Sequence, residues 1–209
     1  MKKALSILTA GCLAVSLAAC GSTAASSAAS AADSTASSAA ESTAASDTAA
    51  ADGQTYKVGI CQLVQHVALD AATQGFKDAL TEQLGDAVTF EEKNAQGDSN
   101  TCTTIINGFV SDNVDLILAN ATPALQAAQA GTNTIPVLGT SVTEYGVALG
   151  IDDFDGLVGT NISGTSDLAP LDEQAGIIKE LFPDAKTVGL LYCSAEPNSQ
   201  YQVDTVKAS

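Results

Sequence analysis

The chain has 209 residues, of which 24 are acidic and 8 are lysine; it has no arginine, and its formal net charge is −16 at pH 7. Such an acidic chain is a poor candidate for nucleic-acid binding, because contacts to phosphate need cations. For the same reason, charge would not attract it to anionic lipid, so any membrane attachment would have to be covalent. The length allows one or two domains.

The first 20 residues form a leader. A basic start at Lys2 and Lys3 precedes the apolar stretch 4–17, which is too short for a permanent membrane span. The stretch ends in Leu17-Ala18-Ala19-Cys20. This pattern resembles a bacterial lipoprotein signal, which implies cleavage before Cys20 and lipidation of that cysteine. The alternative is an ordinary secretory signal in which Cys20 is coincidental.

Residues 21–54 are almost entirely Ala, Ser and Thr with a few acidic residues. They include no large aliphatic or aromatic side chain, so the segment cannot bury enough apolar surface to offset the entropy lost on ordering. We therefore predict a disordered tether between the leader and the folded body.

The segment 56–84 has the pattern of a strand, a loop and a helix. The short apolar run Val58–Val64 predicts a buried strand, and the apolar residues that follow recur with helical spacing up to Leu84. In α/β domains the carboxyl end of such a strand faces the ligand crevice, where we expect Gln65 and His66. The alternative for His66 is a solvated loop histidine.

The pattern then repeats. Apolar runs predict further strands over 88–93, 114–119, 135–139 and 158–162, and helical spacing over 101–112 predicts a helix with Asp98 or Ser99 as its cap. Thr122 and Pro123 have the residue types of an N-cap and a first helical residue. Alternating strands and helices predict a Rossmann-like parallel sheet covered on both faces.

A Gly- and Ser-rich joint over 163–170 follows this first α/β lobe, which we assign to residues 55–165. The pattern restarts with a predicted helix over 171–182, an apolar strand over 187–192, a loop over 194–199 and a helix from Tyr201. We interpret residues 166–209 as the start of a second α/β lobe that is incomplete in this sequence.

Catalytic and metal motifs give little support for an enzyme. GxSxG, HExxH and GxxxxGK[ST] do not occur, and there is one histidine. Cys61, Cys102 and Cys193 show neither CxxC nor zinc-ligand spacing, which favours buried apolar cysteines and leaves a disulfide open. The run Asp152-Asp153-Phe154-Asp155 lacks cation-ligand spacing. We predict no enzyme activity, no metal and no cofactor.

Five segments, in order, resemble the tryptophan/tyrosine-type substrate-binding lipoproteins of ABC importers, which have a type I periplasmic-binding-protein-like fold. They are VGICQLVQHVALDAATQGFKDAL, EKNAQGD, LILANATPALQAA, NISGTSDLAP and LFPDAKTVGLLYCSAEPNS. One departure is Val67, where the family often has proline after the histidine. The resemblance implies two lobes, an ABC permease as partner and a small amino-acid-like ligand, often aromatic, held between the lobes.

Such a ligand needs partners for its carboxylate and its ammonium group. With no arginine, helix amino termini and hydroxyl groups are the available carboxylate partners. The ammonium could meet Asp167 or Glu196. Any of these residues could instead serve only as a cap or a turn. The predicted ligand-binding residues, all near strand ends or joints, are His66, Thr122, Ser141, Thr143, Ser166, Asp167, Glu196, Asn198 and Ser199.

Other functions remain open at this point. A binding protein for a sugar or a nucleoside would have the same two-lobed plan, and an exported enzyme can be built on an α/β sheet. A ligand-sensing transcription factor is disfavoured for two reasons. The segment before the first lobe carries an export signal, and it shows no helix-turn-helix pattern.

Overall fold

A computed structural model describes residues 53–209 of the protein. The predicted signal peptide, Cys20 and nearly all of the predicted tether lie outside these residues. Five parallel strands form one sheet in the order β2-β1-β3-β4-β5. The strands are β1 (Tyr56–Gln62), β2 (Val88–Asn94), β3 (Leu116–Asn120), β4 (Val137–Val142) and β5 (Ile162–Ser166).

Within residues 53–209, six helices connect and flank the strands, and a 3-10 turn over Gly85–Ala87 follows the first of them. They are α1 (Val67–Leu84), α2 (Ser99–Ser111), α3 (Thr122–Gly131), α4 (Tyr145–Leu149), α5 (Leu171–Leu181) and α6 (Pro197–Ala208). The structure therefore confirms the α/β class and the parallel sheet. None of the helices over residues 53–209 has the length and apolar character needed to cross a membrane.

The sheet buries side chains on both faces. Val58 and Ile60 of β1 pack on the face that α1 covers, whereas Cys61 belongs to the larger cluster under α2 and α3. This alternation follows from the period of two in a strand. A side chain at Gly59 would collide with the ring of Phe109, whose atoms lie 2.7 Å from the Cβ position. Glycine at this position lets α2 approach the middle of β1.

The strand prediction over 158–162 is wrong for most of its length. Strand β5 begins at Ile162 and continues through Ser166, so four residues assigned to the joint belong to the sheet. Ser163, Gly164 and Ser166 pair with β4 through their backbones, and all four residues are exposed. Apolar content did not reveal this strand because an edge ladder needs backbone groups and not apolar side chains.

The predicted strand over 187–192 is also wrong. These residues have no regular secondary structure, and Val188, Leu190, Leu191 and Tyr192 are exposed. The physical reason is that a strand needs a neighbour for its ladder, and no strand of the described part lies beside this segment. Cys193 is exposed for the same reason, in contrast to the buried Cys61 and Cys102.

Local capping sets several helix boundaries. The Asp98 carboxylate accepts a hydrogen bond from the Thr101 N–H at 2.6 Å, which confirms one of the two predicted caps of α2. Helix α4, which sequence patterns did not reveal, begins where the Glu144 carboxylate accepts from the N–H groups of Gly146 and Val147. Helix α6 begins at Pro197 and not at Tyr201, because proline suits the first helical turn.

The two edges of the sheet differ in chemistry. Strand β2 presents Glu91, Glu92 and Lys93, and Lys57 of β1 lies 2.8 Å from the Glu91 carboxylate. At the other edge, β5 is short and contains Gly164 with a φ of 155°. A Cβ at Gly164 would collide with the backbone of Gly139 and the hydroxyl of Tyr145. Close backbone approach therefore joins β5 to β4.

Candidate functional site

The strand order places a crevice at the carboxyl edge of the sheet. From β1 the chain passes to β2 on one side and then crosses to β3 on the other side. The connections that leave β1 and β3 diverge at this point, which opens a crevice outside the carboxyl ends of those two strands. Residues that follow β1 and β3 are therefore the first candidates for ligand contact.

His66 lies at this edge and caps α1. Its Nδ1 accepts a hydrogen bond from the N–H of Ala68 at 3.2 Å, and its side chain is exposed. The capping bond uses Nδ1 as an acceptor, and Nε2 has no part in it. The structure thus gives His66 a capping role and leaves ligand contact by its other nitrogen as a prediction.

Thr122 lies at the amino terminus of α3 but does not cap the helix, so the predicted capping role is wrong. Ala121 occupies the cap position with φ 88° and ψ 158°, and Thr122 is the first helical residue. The Thr122 side chain is 2% exposed, and its hydroxyl has no hydrogen-bond partner among the described residues. A buried, unpaired hydroxyl beside helical N–H groups is suited to bind an anionic or polar ligand group.

Four predicted residues cluster at the carboxyl ends of β4 and β5. Ser141 has a φ of 55° and lies in the irregular stretch of β4 between Gly139 and Val142. The hydroxyl of Ser166 donates to the Thr143 carbonyl at 2.7 Å, and the Asp167 N–H donates to the Val142 carbonyl at 3.0 Å. The structure brings Ser141, Thr143, Ser166 and Asp167 together, and it uses the Ser166 hydroxyl to tie the two strand ends.

The remaining predicted residues begin α6. The hydroxyl of Ser199 donates to the Glu196 carboxylate at 3.0 Å, and Oδ1 of Asn198 is buried without a partner among the described residues. One turn further along α6, Gln202 donates to the Thr143 hydroxyl at 3.4 Å. Because residues four apart share a helix face, Asn198 lies on the same side of α6 as Gln202. The start of α6 therefore faces the ends of β4 and β5.

Sequence reasoning missed the buried polar residues beneath this edge. Gln62, Thr73 and Asn120 are at most 3% exposed and are hydrogen-bonded to one another. Gln62 and Asn120 end strands β1 and β3, so polar residues that close apolar runs were the available signal. Gln202 was also missed, because its position inside a helix carries no strand-end signal.

Tyr145 packs behind the ends of β4 and β5. Its ring is 6% exposed, and its hydroxyl donates to the Thr165 carbonyl. Burial, assisted by the negative charge of Asp167, raises the pKa of Tyr145 to about 12. The phenol is therefore neutral at physiological pH and acts as a structural support of this edge.

Two grooves flank the candidate residues without containing them. One, of about 670 Å³, lies between the ends of β1 and β2 and is lined by amide and acidic side chains such as Gln65, Asp70 and Asn94. The other, of about 470 Å³, lies between α5, α6 and the segment 182–190. A third groove, of about 350 Å³, includes the candidate residue Ser166 in its lining, together with Tyr145 and Gly164.

A family model, described as ABC transporter substrate binding protein, matches residues 57–209 of the chain. A tyrosine-binding protein of Clostridioides difficile (strain R20291) is 41% identical over 152 residues, which are 71% of this chain and 44% of that protein.

Two solved structures extend the likeness to three dimensions. An ABC domain of Streptococcus pneumoniae in complex with L-Trp has a TM-score of 0.69 and 34% identity, over 74% of this chain and 53% of that one. A ligand-free, open substrate binding protein with adhesive properties from Clostridium difficile has a TM-score of 0.58 and 42% identity over the same shares.

The chain spans about half the length of these relatives. The family model nevertheless covers nearly all of the described residues, and the fold agrees with that of the solved relatives. The chain therefore belongs to the ABC transporter substrate binding protein family.

Proposed function

We propose that the protein is an extracytoplasmic solute-binding lipoprotein of an ABC importer and that it binds a small amino acid, aromatic in its side chain, between two lobes. The observation that carries the proposal is the buried, unpaired hydroxyl of Thr122 at the amino terminus of α3. It is supported by the relatives, one described as tyrosine-binding and another solved with L-Trp.

The carboxylate of such a ligand would lie at the start of α3. The first N–H groups of a helix have no intrahelical partner, and here Leu125 donates the first helical bond, to Ala121. Pro123 has no N–H, so Thr122 and Ala124 supply the donors, together with the Thr122 hydroxyl. This arrangement would replace the arginine that the chain does not contain.

The ammonium group would meet the carboxylate of Asp167 or Glu196. Asp167 follows β5, and Glu196 precedes α6, so the two acids would approach the ligand from different elements. Asn198, with its buried and unpaired Oδ1, and Ser199 would add hydrogen bonds from the side of α6. Ser141, Thr143, Ser166 and His66 would line the remaining wall.

In this proposal residues 55–165 form the first lobe and residues 166–209 begin the second, with the boundary at the last residue of β5. The lipid on Cys20 would anchor the protein to the outer side of the cell membrane, and residues 21–54 would tether the lobes to it. The ABC permease would receive the ligand when the lobes open.

Calorimetric titration of the whole mature protein would test this function. We expect L-tyrosine or L-tryptophan to bind more tightly than L-leucine and L-aspartate, and ribose and adenosine to give no heat. Ribose or adenosine binding without amino-acid binding would instead favour a sugar- or nucleoside-binding protein. Hydrolysis of an ester or a glycoside by the pure protein would contradict the assignment and favour an exported enzyme.

A further inference from the structure

A chain of hydrogen bonds, buried in part, lies at the carboxyl ends of β1 and β3. The amide nitrogen of Gln62 donates to the Asp70 carboxylate at 2.6 Å, and its Oε1 accepts from the Thr73 hydroxyl at 2.7 Å. That hydroxyl in turn accepts from Nδ2 of Asn120 at 2.9 Å. The network joins the ends of β1 and β3 to the first turns of α1.

Asn120 is the residue of this network that directly precedes Ala121 and Thr122 in the chain. Its Nδ2 also donates to the Leu69 carbonyl at 2.9 Å, which adds a second bond to α1. The whole residue is inaccessible to solvent, yet its Oδ1 has no partner among the described residues. A half-satisfied amide in a core is unfavourable compared with an apolar side chain of similar volume. Packing alone therefore does not account for an asparagine here.

The backbone that follows Asn120 is strained. Ala121 adopts φ 88° and ψ 158°, a region that is essentially restricted to glycine. Such a conformation persists only when its surroundings hold it, and strained backbone of this kind is concentrated at functional sites. On one side the Ala121 N–H donates to the Thr140 carbonyl at 3.0 Å; on the other side the Asn120 side chain is tied to α1.

We propose that Asn120 is a positioning residue for ligand binding. It ties Leu69 and Thr73 of α1 to the end of β3, and it thereby holds the strained turn that presents Thr122 and the amino terminus of α3 to the ligand. Asn120 itself acts through Thr122. The inference rests on the proposed function, because its readout is the affinity for an amino acid.

Affinity and stability measured on the same variants distinguish positioning from simple core packing. We expect Asn120→Ala to raise the Kd for L-tyrosine or L-tryptophan at least tenfold at a temperature where the variant is fully folded. The matched control is Ile106→Ala, an equally buried residue of α2 that packs beside Gly131 at the far end of α3. It should lower the melting temperature and leave Kd within twofold of the wild-type value.

A double-mutant cycle tests whether Asn120 acts through Thr122. If it does, Asn120→Ala combined with Thr122→Val should raise Kd little more than the larger single effect, because both changes remove the same interaction with the ligand. Multiplicative effects on Kd would contradict action through Thr122.

A second pair of variants covers the case in which Asn120→Ala does not fold. Thr73→Val removes the hydroxyl that accepts from Asn120 and should raise Kd, whereas Thr73→Ser keeps that hydroxyl and should restore wild-type Kd. Unchanged Kd in Asn120→Ala or, if that variant is unfolded, in Thr73→Val, would overturn the positioning role. A wild-type protein that binds neither amino acid would instead overturn the proposed function, so the two failures are distinguishable.

Discussion

The hydroxyl of Tyr145 donates a hydrogen bond to the backbone carbonyl of Thr165, 3.2 Å away. This bond joins the short helix α4 to the edge strand β5. It also places a buried phenol behind the residues that we assign to the ligand site, and the buried ring makes that edge sensitive to alkaline pH.

We expect stability to fall between about pH 10 and pH 12 because of Tyr145. The pKa of Tyr145 is about 12 in the fold against an ordinary value of 10.0, so above pH 10 the unfolded chain loses a proton that the folded chain retains. The free energy of unfolding should fall by roughly 2–3 kcal/mol over this pH range. Denaturant unfolding of the wild type and Tyr145→Phe would measure it. A difference between the two that stays constant from pH 9 to pH 12 would contradict the expectation.

Gly164→Ala should destabilise the fold by roughly 1–3 kcal/mol or more. The added Cβ would lie against the backbone oxygen and nitrogen of Gly139, and a backbone in a ladder cannot move aside as a flexible side chain can. The control is Gly176→Ala in α5, where the added carbon meets nothing within 4 Å. That change should stabilise the helix by about 0.5–1 kcal/mol. Equal unfolding midpoints for the two variants would argue against the tight contact of β4 with β5.

Thr122→Val should weaken amino-acid binding by about 1–3 kcal/mol without destabilising the free protein. The reason is that the hydroxyl has no protein partner among the described residues, so only a ligand group loses a hydrogen bond. Thr122→Ser should retain binding, and Thr104→Val on the exposed face of α2 serves as the control. Calorimetry of the same samples would measure the change in affinity, and thermal unfolding would measure the stability of the free protein. A lower melting temperature with unchanged affinity would show a purely structural hydroxyl.

In the 209-residue chain, the segment 187–193 should exchange its amide hydrogens rapidly. It has no regular secondary structure, whereas β1 and β3 are paired on both sides within the sheet. Hydrogen exchange followed by mass spectrometry would compare peptides from the two regions. Protection of 187–193 comparable to that of β1 would indicate a strand partner, as the sequence pattern suggested.

Cys20→Ala should release the protein from the membrane fraction. The leader and the small residues before Cys20 motivate this expectation, because a lipid chain is the attachment they predict. Fractionation of cells that produce the wild type and the variant would measure it. Retention of the variant in the membrane fraction would remove the lipid anchor from the proposal.

Local patterns predicted the parts of the fold that depend on local interactions. The β1–α1 unit followed from an apolar run and helical spacing, and the Asp98 cap followed from a side chain that reaches its own helix. The segment 187–192 has an equally apolar pattern, but a strand also needs a partner, and pairing is not encoded within six residues.

The candidate site was only partly predictable. Thr122 and Ser141 were predicted because parallel topology brings the carboxyl ends of strands to one edge, and their contact with a ligand stays a prediction. The unusual backbone of Ala121 was not foreseen, since alanine has no local preference for a positive φ and the tertiary contacts impose it. The bonds among Gln62, Thr73 and Asn120 join residues 11 to 58 positions apart, which sequence periodicity does not reveal.

The charged edge strand β2 affects the tendency of the protein to aggregate. An edge strand offers unpaired backbone groups to any second sheet, and this is how cross-β stacking begins. A second strand that paired with β2 would have to desolvate Glu91, Glu92 and Lys93. Glu91 is already in an ion pair with Lys57, and Glu92 is in one with Lys77. The charges on β2 therefore disfavour aggregation of one copy with the next through this edge of the sheet.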